Sequence, residues 1–293
     1  MPGPRFPCGV QRHPKRSRHK GPAARGRLRA AAFRCNARRG HVLLTEGRIG
    51  RVGDLVVPVL DVRAGVTVLA DGSDRARYPA LATPAFPNPD PRAVTRSLRA
   101  LFPFPVIYVA DLDALAGDEP QVALLTELAS EHERIEWWID AGLSGPEACA
   151  RLADLPGNVR LVLGTETLSD AASGRAILAR ITTAPVLSID HRDGRLLGAL
   201  PDLPAGAAPF DTVIDMNLDA IGTDAKGLRP RDPALAGFAG ARRFLAGGIR
   251  HEAQLRAVRA HGFSGALCAS ALYRGGFTRA LLAQTLAARP RTR

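Results

Sequence analysis

The chain has 293 residues, 46% of them hydrophobic, and a formal net charge of +12. All of that charge sits at one end: residues 1–50 hold 13 Lys and Arg against the single acid Glu46, while the remainder balances 27 bases with 27 acids. A neutral body excludes a nucleic-acid surface built from bulk charge, and the lack of any apolar run of about 18 residues excludes a helical membrane span.

The first segment, residues 1–50, is rich in Pro, Gly and Arg and has no apolar periodicity. A basic nucleic-acid arm and an Arg-rich targeting peptide are the functional readings of such a composition. The favoured one is a disordered extension without a function of its own. No secretory signal precedes the body, which reads as cytoplasmic. Cys8, Cys35, Cys149 and Cys268 are scattered and contain no CxxC pair, so neither a disulfide framework nor a zinc site is indicated.

From residue 52 to residue 289 short Val-, Ile- and Leu-rich runs alternate with amphipathic stretches. The runs are 55–61, 105–111, 135–140, 159–164, 185–190, 210–216, 243–247 and 265–270. Helical patterns fall at 91–101, 119–130, 145–154, 250–260 and 276–288. Continuous apolar strands suit a parallel sheet buried on both faces. Eight of them alternating with helices predict an α/β chain folded as a (β/α)8 barrel, with a doubly wound open sheet as the alternative. Residues 191–209 carry Pro201, Pro204 and Pro209 with Gly198 and Gly206, so the connection there is expected to be short or irregular.

The chain also repeats itself. IDAGLS (139–144) precedes LAGGIR (245–250) by 106 positions, and LVLGTETL (161–168) precedes LCASALYR (267–274) by the same offset. LDVRAG (60–65) resembles IDHRDG (189–194), which places Asp61 and Asp190 at equivalent strand ends. Two similar (βα)4 halves close naturally into a pseudo-twofold barrel.

In such barrels chemistry sits at the carboxyl ends of the strands. Those positions offer Asp61, Asp111, Asp113, Asp140, Asp190, Asp215 and Asp219. Some of these would cap helices or pair with Arg63, Arg192 and Arg250; Asp61 and Asp190, opposed by the repeat, are the candidates for proton removal and donation. Gly142, Gly164 with Thr165, Gly247 with Gly248, and Ser270 with Ala271 lie where strands hand over to helices. Small residues there let backbone N–H groups approach a phosphate. The Gly247–Gly248–Ser270 cluster is the better formed of two expected phosphate sites. Lysine occurs only at Lys15, Lys20 and Lys226, and His191, His251 and His261 lack metal-ligand spacing, so neither Schiff-base nor metal chemistry is expected. No P-loop or nucleophile elbow is present.

Taken in order, VVPVLDVRAG (56–65), YVADLDA (108–114), DAGLS (140–144), VLGTETL (162–168), SIDHRDG (188–194), LAGGIR (245–250) and ASALYRGGFT (269–278) resemble the HisA/HisF superfamily. The likeness is greatest to the ProFAR isomerase of histidine biosynthesis and to a divergent group of methanogens and methylotrophs. It implies a barrel of the ribulose-phosphate-binding type, a substrate with two phosphates, and a cofactor-free Amadori rearrangement of an aminoaldose to an aminoketose. It matches the general base to Asp61 and the fifth-strand Asp to Asp190. It matches the two phosphate sites to Gly164 with Thr165 and to Gly247, Gly248 and Ser270; Asp111, from the strand ends alone, is a further substrate-binding candidate. It implies a monomer or small homo-oligomer binding a phosphorylated small molecule, with no nucleic-acid, membrane or metal partner.

Two departures accompany it. The isomerase has Asp-Gly-Thr after its sixth strand, its Asp being the general acid, where this chain has Ile221-Gly222-Thr223; Asp219 or Asp224 would have to substitute. A Gly-Gly-Gly turn after the third strand becomes Asp140-Ala141-Gly142, and a carboxylate beside an expected phosphate argues for an altered ligand. One-carbon cofactor biosynthesis (tetrahydromethanopterin or methanofuran) and a non-catalytic metabolite-binding barrel are the alternative functions.

Overall fold

The computed structural model of the chain describes residues 56–72, 74–203, 209–221, 233–238 and 240–287. The 1–50 extension, Asp224 and Lys226 lie outside them. The strands are β1 (Val56–Arg63), β2 (Val66–Val68), β3 (Val106–Asp111), β4 (Glu136–Asp140), β5 (Val159–Gly164), β6 (Val186–Arg192), β7 (Arg195–Leu196), β8 (Thr212–Asn217), β9 (Arg242–Ala246) and β10 (Gly265–Cys268). The helices are α1 (Pro91–Leu101), α2 (Leu112–Leu115), α3 (Val122–Glu131), α4 (Pro146–Arg151), α5 (Ala171–Leu178), α6 (Glu252–Ala260), α7 (Ser270–Tyr273) and α8 (Arg279–Ala287).

Eight strands pair in parallel in the order β1-β3-β4-β5-β6-β8-β9-β10, and β10 returns to β1 through Val57 opposite Leu267. The sheet is therefore closed, which settles the barrel over the open doubly wound sheet. Alternation along each strand divides the core in two. Val57, Tyr108, Trp138, Val162, Ile214, Phe244 and Leu267 pack inside the barrel, while Leu60, Ile107, Trp137, Leu163, Val213 and Cys268 face the helices. Trp138 meets Phe244 edge to face at 5.0 Å.

Beneath that layer the amino-terminal end of the barrel is plugged by polar side chains. Arg160 reaches Glu136 at 3.3 Å and Asp211 at 2.5 Å, and the Trp138 indole N–H donates to Glu136 at 2.7 Å. Arg160, 12% exposed, is paired with both acids, as burial of its charge demands, while Glu136 and Asp211 keep much of their exposure.

Both β1 and β6 run past the barrel rim into hairpins that the sequence patterns did not reveal. β2 folds back on β1 and β7 on β6. Their two-residue turns, Ala64-Gly65 and Asp193-Gly194, have positive φ at both positions, as type I′ hairpins require. Each turn is pinned alike: Ala64 N–H donates to Asp113 at 2.7 Å, and Asp193 N–H donates to Asp219 at 2.8 Å. The likeness of 60–65 to 189–194 is thus a repeat of a whole strand–hairpin unit.

The second repeat block needs a correction of one residue. Leu161 faces the helices whereas Leu267, its partner at offset 106, faces the barrel interior. A one-residue slip exchanges the faces of a strand, so Val162 is the partner of Leu267 and the true offset is 105. Thr165, rather than Gly164, is then equivalent to Ser270. The first block keeps offset 106, and Gly142 and Gly248 both have positive φ. After β6 the described residues contain no helix before β8, as Pro201 and Gly198 suggested. Gly198 is needed for another reason: a Cβ there would lie 1.8 Å from the Thr165 carbonyl oxygen.

Candidate active site

A cleft of about 800 Å³, including its open mouth, lies at the carboxyl ends of the strands. Asp61, Ala110 and Asp140 stand side by side on its wall, because Asp61 pairs with Ala110 and Ala110 with Asp140 across β1, β3 and β4. Two strand spacings of about 4.8 Å separate the two residues' backbones along the sheet. Ala246, Gly247, Gly248, Arg250 and Ser270, from the ends of β9 and β10, also line the cleft, and β10 joins β1 to close the ring.

Asp61 is half-buried, and no donor among the described residues reaches its carboxylate. Burial pushes its pKa up to about 6, partly offset by Arg75. Asp140 is buried, accepts a hydrogen bond from the Tyr108 hydroxyl at 2.8 Å, and has its pKa raised to about 7 by burial and then by Asp190 and Glu166. The Tyr108 phenol is in turn driven well above its usual value by burial and by Asp140.

Arg75 closes the cleft from the loop after β2. Its guanidinium forms two hydrogen bonds to Glu166, at 2.8 and 3.3 Å. Burial works against its charge, but Glu166 and then Asp140 more than compensate and raise its pKa. Arg63 fixes the loop by donating to the carbonyls of Arg75 at 2.8 Å and Tyr78 at 2.9 Å. Tyr78 lines the cleft too, its phenol raised to about 12 by burial and by Asp61.

Several candidates from the sequence take other positions. Asp190 does not line the cleft: it is 2% exposed and accepts from Ser188 Oγ at 2.6 Å, Glu166 N–H at 3.1 Å and Thr165 Oγ1 at 3.3 Å. Asp111 points toward the helices, where it accepts from Ala114 N–H and from both the backbone and side chain of Gln121. Asp219 holds the second hairpin turn. Asp215 faces outward, 3.7 Å from His191. Gly142, Gly164, Thr165 and Ala271 also stay out of the cleft wall, whereas Gly247, Gly248 and Ser270 are part of it. Ile221 lines it as an apolar group.

Arg75, Tyr78, Tyr108 and Glu166 are the residues that sequence reasoning missed. Parity was a usable signal for Tyr108, which shares a strand face with Ala110; the reach of the Arg75 loop was not written locally. Among the described residues no group of three His, Cys, Asp or Glu side chains is arranged to hold a metal, and no helix is long and apolar enough to cross a membrane.

The profile of the family described as histidine biosynthesis protein matches residues 55–221, more than half of the chain. The chain belongs to that family. It is a HisA/HisF-like barrel enzyme, and its histidine-biosynthesis-family fold explains why the strand ends carry the cleft. No curated protein matches the chain.

The raised acids make a stability prediction for this family member. Asp61 and Asp140 hold their protons to higher pH when folded than when unfolded, so the folded chain binds more protons between about pH 4 and 7. Their contribution is full below the unfolded carboxylate value and is lost as pH rises through the folded values. The urea midpoint should therefore fall from pH 5 to pH 8, and Asp140→Asn should flatten the fall. An unchanged slope in the variant would contradict the assignment.

Proposed function

We propose that the protein is an aldose–ketose isomerase acting on a phosphorylated sugar or ribotide by the Amadori chemistry of the ProFAR isomerase, without a cofactor. The observation that carries this is the pair Asp61 and Asp140, two carboxyl groups of raised pKa in a cleft that Gly247, Gly248 and Ser270 also line. Values near neutrality suit groups that must both give and take protons.

In this proposal Asp61 is the base and Asp140 the acid. Asp140 donates its proton to the ring oxygen as the C1–O bond opens and the nitrogen lone pair forms C=N. Asp61 then takes the proton from C2, leaving an enaminol that tautomerises to the aminoketose. Asp140 replaces Asp190 in the acid role because Asp190 has its oxygens engaged behind Glu166. Gly247, Gly248 and Ser270 bind the phosphate, with Arg250 beside them. Tyr108 holds Asp140 in place.

Incubation of the full-length chain with a panel of aldose phosphates and N-glycosyl phosphates, followed by NMR, tests the reading. A ketose product from at least one of them is expected. Ligands that raise the melting temperature without any product would instead support a non-catalytic, metabolite-binding barrel.

A further inference from the structure

The two halves of the barrel carry equivalent turns, but only the second half's line the cleft, and the two leave different groups available. In the second half, neither Gly248 N–H nor the Ser270 hydroxyl has a partner among the described residues. Both Gly248 and Ser270 line the cleft. In the first half, the equivalent donors are taken. Gly142 N–H points to Asp140 Oδ1 at 3.4 Å, and Thr165 Oγ1, the counterpart of Ser270, lies 3.3 Å from Asp190 Oδ2. Glu166 N–H adds a further bond to Asp190 at 3.1 Å, and the Tyr108 hydroxyl donates to Asp140 at 2.8 Å.

Gly164 shows where this leads. A Cβ on it would stand 3.2 Å from Asp190 Oδ2 and 3.7 Å from Asp140 Oδ2. The glycine makes room for the protein's own carboxylates, not for a ligand. Gly142 is likewise committed, since its Cβ would meet the Ala114 carbonyl oxygen at 2.8 Å. An incoming phosphate would find the donors of that turn already bonded and the Arg75 guanidinium already paired with Glu166. A phosphate stripped of water without free donors is unfavourable.

We infer that the substrate carries one phosphate, held at the Gly247–Gly248–Ser270 end, and that the side chains of Asp140 and Asp190 occupy the equivalent place in the first half. The inference rests on the sugar-phosphate reading above and narrows it. The group that meets Asp140 and Glu166 is then a hydroxyl or amine, not a second phosphate. The two-phosphate ribotide implied by the resemblance is accordingly not the substrate.

Calorimetric titration of the full-length chain with ribose 5-phosphate and with ribulose 1,5-bisphosphate tests this. The second phosphate should add no affinity, and ³¹P spectra of the bound bisphosphate should keep one phosphorus signal as sharp as in free solution. Bisphosphate binding tenfold or more tighter than the monophosphate would overturn the inference while leaving the sugar-phosphate reading intact. Growth rescue of a histidine-requiring strain lacking the isomerase would overturn it in the same way. Binding of neither compound would overturn the sugar-phosphate reading itself, and this inference with it.

Discussion

Replacing Asp61 by Asn is expected to lower kcat by about 10²–10⁴-fold, the range that a general base contributes. The melting temperature should stay within a few degrees or rise. The physical reason lies in what the carboxylate touches. It has no donor among the described residues and is held in a half-buried place that raises its pKa to about 6. The folded chain gains nothing from that charge, so an isosteric amide costs the fold little. A structural carboxylate behaves in the opposite way. Asp111, with three hydrogen bonds at a helix start, would lose stability on the same substitution. Unfolding midpoints and turnover measured on one preparation separate the two cases. A drop of many degrees in the Asp61→Asn protein would show that the residue supports the barrel and not the reaction.

Trp138→Ala is expected to destabilise the chain by about 3–5 kcal/mol, the range for removing a large aromatic from a core. Trp138 is fully buried inside the barrel, edge-on to Phe244 at 5.0 Å. Its indole N–H also donates to Glu136, which takes part in the polar plug around Arg160. Truncation therefore opens a cavity between the plug and the cleft, and it strips one donor from the half-exposed Glu136. The resulting shift in melting temperature is about 6–20 °C for a domain of this size. A loss under about 1 kcal/mol, read from urea midpoints, would mean that the strands can collapse onto the space. That would contradict a rigid floor beneath the active site.

The eight barrel strands were legible because each is buried on both faces and so appears as an unbroken apolar run. Helix α1 was legible to the residue: Asp90 accepts from Arg92 N–H, and Pro91 opens the first turn. Helix α5 was not, since AASGRAIL offers a weak apolar stripe and buries only Gly174 and Ile177. The two hairpins escaped notice because β2 and β7 have three and two residues. Their signal lies in the turns, where Ala64-Gly65 and Asp193-Gly194 occupy equivalent places.

Site residues were harder, because a strand end gives a location but not a direction. Asp61 and Asp140 share the inward parity of Val57 and Trp138. Asp111 and Asp215 have the opposite parity and turn toward the helices. Counting in twos from a buried aromatic would have sorted them. Asp190 has the inward parity as well, yet three donors hold it behind Glu166, and no one-dimensional rule reveals that. The repeat of Leu112-Asp113-Ala114 as Leu218-Asp219-Ala220 was visible in the chain and points to the shared hairpin-pinning role of the two Asp residues.

The most direct test of the proposed chemistry is proton exchange at C2. The full-length chain and its Asp61→Asn variant would be incubated in D₂O with whichever aldose phosphate raises the melting temperature most, and the C2 proton followed by NMR. A base at Asp61 predicts loss of the C2 proton with the wild-type chain, deuterium appearing at C1 of the ketose formed and at C2 of the aldose recovered, and neither with the variant over the same time. Equal exchange in both would place the base elsewhere and contradict the account.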